Sequence, residues 1–166
     1  MKIPEKFVAP LNETMGKWNI TTPKTRAAFL ATCNHETGGF KWLHEIWGNP
    51  PTKWQAKYQG RHGNVHPGDG KKYRGRGLIH VTFYDNYVEV TGWVREHYPD
   101  CPDFAKEPEK LEEPLWACAS ACAWWAHHHL NEIAETGDIK KVRRVVNGPG
   151  MLGLAEVTKD YNSLLG

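Results

Sequence analysis

Thr22-Pro23-Lys24-Thr25-Arg26-Ala27-Ala28-Phe29-Leu30-Ala31-Thr32-Cys33-Asn34-His35-Glu36-Thr37-Gly38-Gly39 decides how this chain folds. Thr22 suits an N-cap and Pro23 the first helical turn, so a helix starts here. The Gly38-Gly39 pair stops it abruptly. Glu36 therefore closes an apolar helix at a chain break, where a cleft can open. A carboxyl group in such a place is short of water on its helix side and faces the negative end of the helix dipole. Both effects favour the protonated acid, which a proton donor to a leaving group requires. By position alone, though, a Glu at a helix end is most often a solvated surface residue, so the rest of the chain must decide.

Working outward, Pro4–Trp18 reads as a first helix, with Phe7, Val8, Leu11 and Met15 on one face. After Gly39 the periodicity fades as far as Tyr73, across Pro50-Pro51, Pro67 and seven glycines counted from Gly38. Irregular stretches this long inside a compact domain tend to be functional. A short helix over Thr52–Tyr58 interrupts it. Gly77–Thr82 reads as a brief strand or a buried turn. Helices follow over Phe83–His97, Pro114–Glu135, Asp138–Val146 and Leu152–Leu165. The fold class is mainly α, with a long irregular loop facing the end of the second helix. Residues 1–166 read as one domain, without repeats or low-complexity linkers.

With 40% apolar and 24% charged residues over 166 positions, the chain is globular and long enough to bury a core. Its net charge of +2 is unevenly spread. Residues 51–76 hold seven Lys and Arg against the single acid Asp69, a local charge of +6. That points to an anionic partner, although charge runs are usually solvated loops. Cys118 and Cys122 lie four apart in an Ala-rich helical run, the pattern of small buried thiols. Without a C-x-x-C pair, Cys33, Cys101, Cys118 and Cys122 are expected to be reduced, in a protein made in the cytoplasm. No leader and no long apolar span are recognisable, so stable membrane insertion is not expected.

Several chemistries drop out. His35-Glu36 begins a zinc-protease motif, but the fifth position is Gly39 and the second ligand is missing. His127-His128-His129 point in different directions on a helix, which favours a structural or surface role over a metal site. Gly75-Arg76-Gly77-Leu78-Ile79-His80 lacks the last glycine of a dinucleotide loop. There is no P-loop and no nucleophile elbow. A nucleic-acid reading has only the Lys71–Arg76 cluster behind it, and nucleic acid is not expected as a partner.

Paired carboxylates remain. On one continuous helix Glu36 and Glu45 would be roughly 13 Å apart, too far to share a bond. The glycine break lifts that constraint and lets the chain fold back through Phe40-Lys41-Trp42. Glycosidases set two carboxyl groups roughly 5–5.5 Å apart to retain the anomeric configuration and roughly 6.5–9.5 Å apart to invert it. Sequence spacing does not choose between them. Trp42 and Trp47 lie nearby as sugar platforms.

Phe29–Phe40, around His35-Glu36-Thr37-Gly38-Gly39, resembles the acid motif of glycoside hydrolase family 19, and within that family the bacteriophage endolysins. Gly68-Asp69-Gly70 and Tyr73-Arg74-Gly75-Arg76-Gly77-Leu78-Ile79-His80-Val81-Thr82 resemble its second signature, followed by Asn86-Tyr87. Asn147-Gly148 and Gly153-Leu154 resemble its closing segment. The likeness runs from Thr22 to Tyr161.

The resemblance implies a lysozyme-like, two-lobed helical domain with a central substrate cleft, and an inverting mechanism without cofactor, metal or nucleotide. It implies Glu36 as general acid, Glu45 as second carboxylate and Thr82 as holder of the attacking water. Trp42, Tyr73, Arg76, His80, Asn86 and Asn147 are then expected to contact sugar. Three positions depart from the family pattern. His80 stands where Gln is usual. Val157 falls where an Arg often follows the final Gly-Leu. The loop that carries the plant enzymes' second acid is basic here.

The expected activity is hydrolysis of β-1,4 bonds in the peptidoglycan glycan strand by an endolysin of lysozyme type, leading to host cell lysis. The expected form is a monomer that accumulates in the host cytoplasm and reaches the wall through a separate membrane-permeabilising protein. The alternatives are a chitinase acting on N-acetylglucosamine polymers and a non-catalytic wall-binding protein.

Overall fold

The computed structural model describes residues 1–166 as nine α-helices and one 3-10 turn, with no strand. The helices are α1 Glu5–Lys17, α2 Pro23–Glu36, α3 Lys53–Ala56, α4 Asp69–Lys72, α5 Tyr84–Arg95, α6 Pro114–His127, α7 Leu130–Glu135, α8 Ile139–Asn147 and α9 Leu154–Leu165. The 3-10 turn spans Pro108–Glu112.

Helix α6 is the axis of the core. Ala117, Cys118, Ala119, Ala121, Cys122 and Ala123 are all fully buried, so the helix is covered on every side. Small side chains let neighbours approach closely, and α1, α5, α7 and the 3-10 turn all pack on it. Phe7, Leu11 and Met15 of α1 enter this core, as do Phe29 of α2 and Trp125, whose rings meet edge to face at 5.3 Å. All four cysteines are free and buried. Burial pushes the thiols of Cys33 and Cys118 well up, and that of Cys122 to about 12.

Helix α2 packs against α9, α7 and α8. Its start is a full capping box, in which the Thr22 and Thr25 side chains each accept the other's backbone N–H. Its end is the glycine turn. Gly38 and Gly39 have φ of 57° and 83°, and the N–H groups of Lys41 and Trp42 both return to the Thr37 carbonyl. Phe40 then drops into the core against Phe7.

The chain next runs alongside the Gly75–Val81 turn. Gly77 N–H donates to the Leu43 carbonyl and Glu45 N–H to the Gly75 carbonyl. Arg76 bridges both His44 and Val81. So Gly77–Thr82 is a buried turn and not a strand. The irregular loop carries two single-turn helices, α3 and α4, packed on each other. The second has Asp69 at its first position, an acid suited to a helix start.

One expected helix is broken. Pro114–Glu135 divides at His129, whose φ of 56° is incompatible with a continuing helix, into α6 and α7. The ring of His127 stacks on Trp93 and that of His128 on Trp124, so the triplet pins α6 to α5 and to itself.

Candidate active site

Glu36 ends α2 with its side chain 22% exposed. Its carboxylate has a counter-charge that helix geometry alone does not reveal. Arg143 Nη1 donates to Glu36 Oε1 at 2.8 Å. Arg143 is fully buried on α8, where it follows Val142, and its Nε and Nη2 donate to the Leu152 carbonyl at 3.0 and 2.5 Å. Asn147 takes the same residue from the other side, its Oδ1 accepting the Leu152 N–H at 2.7 Å. The α8–α9 segment is thereby fixed against the acid.

Gly153 completes this clamp. A Cβ built there would lie 2.1 Å from His35 Nε2, so the ring beside Glu36 fills the space a side chain would need. The closing glycine has a physical reason: α9 begins where His35 ends.

Glu45 is held from three directions. Gln55 Nε2 donates to Oε2 at 3.1 Å, the Tyr58 hydroxyl donates to the same oxygen at 3.1 Å, and Gly75 N–H donates to Oε1 at 3.2 Å. Gln55 also donates to the Ile46 carbonyl, and its Oε1 accepts the N–H groups of Gly48 and Thr52. The loop is therefore folded around the carboxylate. Burial, and then the Glu45 charge, push the Tyr58 hydroxyl up to about 12, so it stays a donor.

Thr82 belongs to the Glu45 side. A Cβ on Gly75 would lie 3.3 Å from Thr82 Oγ1 and 3.0 Å from His80 Cβ. Gly75 thus lies between the carboxylate its N–H holds and the Thr82 hydroxyl beside its Cα. The Thr82 hydroxyl donates to the His80 carbonyl at 2.8 Å, leaving its lone pairs free to accept.

The residues expected to touch sugar divide in two. Trp42 is 43% exposed, with Lys41 Nζ 4.7 Å from its ring centroid. Asn86 is exposed and donates to the Thr82 carbonyl, and Asn147 is exposed with its amide nitrogen unengaged. His80 Nε2 lies 2.9 Å from the Trp42 carbonyl, so the ring ties the Gly75–Val81 turn to the residue after the glycine turn.

Tyr73 and Arg76 are corrections. Tyr73 is 4% exposed and its hydroxyl donates to the Ala105 carbonyl at 2.8 Å. Arg76 is 7% exposed and donates to Glu112, to the Lys72 carbonyl and to the Tyr87 hydroxyl. Both stand behind the turn that presents Gly75 and Thr82, because that turn crosses the core and its polar groups need partners inside.

Arg143, Gln55 and Tyr58 are site residues that the sequence reading passed over. Arg143 had a signal: a charge beside Val142, among the buried positions of an amphipathic helix with Ile139 and Val146, requires a partner. Gln55 had a weaker one, as the fourth residue of a capping box that starts at Thr52.

No known family profile matches the chain. It is 33% identical over 167 residues to a glycosyl hydrolase family 19 domain-containing protein of Haemophilus influenzae, across 84% of this chain and 78% of that protein. The chain belongs to glycosyl hydrolase family 19. Its fold is that of chitinase C from Streptomyces griseus HUT6037, with a TM-score of 0.72 at 19% identity, over 99% of this chain and 72% of that one. A bacterial family 19 chitinase matches with a TM-score of 0.68 at 18% identity, over 99% and 89%. The domain is thus an all-helical glycoside hydrolase domain with the lysozyme-like fold of family 19 chitinases.

Proposed function

We propose that this domain hydrolyses β-1,4 bonds in the glycan strand of peptidoglycan, as an endolysin of lysozyme type. The observation that carries the reading is the separate anchoring of two carboxylates on either side of one glycine turn. Glu36 is fixed by Arg143, and Glu45 by Gln55, Tyr58 and Gly75. Glu36 gives its proton to the bridging oxygen as the C1–O bond breaks. Water, held by Thr82 and deprotonated by Glu45, attacks C1 from the opposite face. Glu36 is left as carboxylate and Glu45 as acid, and solvent returns both to their starting states. Trp42, Asn86 and Asn147 supply the exposed sugar contacts, with His80 beside them.

The basic 51–76 segment favours a glycan whose stems carry carboxylates. A chitinase reading is favoured by the solved relatives, both described as chitinases. Chitin is uncharged and leaves the +6 segment without a role. No helix is long and apolar enough to cross a membrane. In our reading the domain acts as a monomer from the host cytoplasm and reaches the wall through a separate permeabilising protein.

Mass spectrometry of digested peptidoglycan, beside sugar release from chitin, tests the substrate. Reducing ends on peptidoglycan fragments support the reading. Anhydro products, or release from chitin alone, overturn it. Glu36→Gln should fold, bind and lose at least a hundredfold in rate, the usual scale for acid catalysis. Clearing at the normal rate would reject Glu36 as the acid. Glu45→Gln should be severely impaired, whereas a mild loss would demote Glu45 to a substrate contact.

A further inference from the structure

A cavity of about 920 Å³ is not lined by either carboxylate. It lies between the Val65–Pro67 loop, α5 and Asp103–Lys106. Three exposed apolar side chains converge on it: Val65 at 71%, Val88 at 46% and Tyr84 at 38% exposure. Exposed apolar groups gathered in one concavity mark a binding surface.

The walls are rigid. Tyr73 packs edge to face against Tyr84 and donates to Ala105, and Phe104 N–H donates to Thr91 Oγ1 at 3.1 Å. The lining carries three cations, Lys72, Arg95 and Lys106, against two acids, Asp69 and Asp103, a net charge of +1. Lys72 and Lys106 are both exposed. The two acids are engaged internally: Asp69, 6% exposed, accepts the His66 N–H, and Asp103 accepts the Ala105 N–H.

We propose that this groove binds the carboxylate-bearing peptide stem of the glycan strand that the domain cleaves, an inference that rests on the peptidoglycan reading above. An apolar floor under two lysines complements a short peptide with small apolar side chains and free carboxylates. The groove is built by the same segment as the cleft. Tyr73 lines the groove while Gly75, two residues on, holds Glu45, and Tyr84 lines it two residues after Thr82. A stem seated here holds its own strand on the side of the cleft that carries Glu45. The contact is electrostatic and close to the surface, so it weakens with salt over a Debye length of roughly 8 Å at physiological ionic strength.

The test uses the full chain and the stem tetrapeptide released from peptidoglycan by an amidase. The peptide should perturb the amide resonances of Val65, Tyr84 and Val88, and its affinity should fall about tenfold in the Lys72→Glu/Lys106→Glu double variant, a change of 1.4 kcal/mol. Lys72→Arg/Lys106→Arg should restore it. On intact wall the Glu variant should raise KM about tenfold with kcat unchanged, while glycan stripped of its stems is cut equally by both proteins. Absence of peptide shifts at the groove overturns the proposal, as does equal slowing on intact and stripped glycan, or retention of a polynucleotide in place of the peptide. If the peptide binds but neither glycan is cut, the groove stands and the hydrolytic reading falls.

Discussion

Arg143 and Glu36 are joined at 2.8 Å, the guanidinium wholly buried and the carboxylate at the end of α2. The pair links the helix that ends in the acid to the segment that closes the fold, because the same guanidinium grips the Leu152 carbonyl. The family pattern leads one to look for an Arg after Gly153-Leu154, but Val157 there is a fully buried core residue. The guanidinium that holds Glu36 comes from the preceding helix, α8.

Removing one partner of a buried pair strands the other. Arg143→Ala should cost about 3 kcal/mol and lower the melting temperature by roughly 10 °C. Arg143→Lys keeps the charge but cannot hold Glu36 and Leu152 with three separate N–H groups. It should retain most of the stability and lose at least tenfold in kcat, a difference of 1.4 kcal/mol. Thermal unfolding beside steady-state hydrolysis separates the two. Full activity in Arg143→Lys would show that the geometry of Glu36 does not depend on this grip.

Gly75 tests the opposite side. Its missing side chain lets His80 and Thr82 close on the backbone that donates to Glu45. Alanine would push on His80 Cβ at 3.0 Å and Thr82 Oγ1 at 3.3 Å, a shift of a few tenths of an ångström. Such a displacement costs about 1 kcal/mol in stability, while a misplacement approaching 1 Å at reacting groups costs up to about 100-fold in rate. Gly75→Ala should therefore be folded and slow. A variant that melts early but turns over normally would contradict this.

Gly153 is expected to behave the other way round. Its φ of 78° and the 2.1 Å approach to His35 Nε2 leave no room for a side chain. Gly153→Ala should cost about 2 kcal/mol or more, from the left-handed backbone and from displacing the His35 ring. Pairing it with His35→Ala should recover part of the stability by opening that space, which a double-mutant cycle of unfolding free energies measures.

The helical class and the placing of Glu36 were legible because local signals agree. The Thr22–Pro23 start, the apolar run and the glycine stop all bound α2 as read. The break at His129 was not legible, since the apolar pattern runs across it and a positive φ at His leaves no mark in composition. Tyr73 and Arg76 misled for a related reason. A motif shared with a family marks positions the site needs, without distinguishing residues that face the sugar from residues that support the turn. Gln55 and Tyr58 escaped because their partner, Glu45, is reached only when an irregular loop folds back on itself.

The anchoring of Glu45 has a signature in alkaline solution. Tyr58 is raised from 10 to about 12 by burial and by the neighbouring carboxylate, and burial pushes Tyr87 and Tyr98 up further. Below pH 10 Tyr58 is protonated in both folded and unfolded chains, and its contribution to stability is complete. Between pH 10 and about 12 the unfolded chain loses the phenolic proton first, so stability falls as pH rises through that window. Absorbance at 295 nm should show these three tyrosines ionising late in the native protein, and near 10 in denaturant. Tyr58→Phe should remove one late step and flatten part of the alkaline loss of stability. It should also lower activity near neutral pH, because Glu45 loses a donor to its Oε2. Loss of a step near 10 in place of a late one in Tyr58→Phe would mean that the hydroxyl is not the donor the structure makes it.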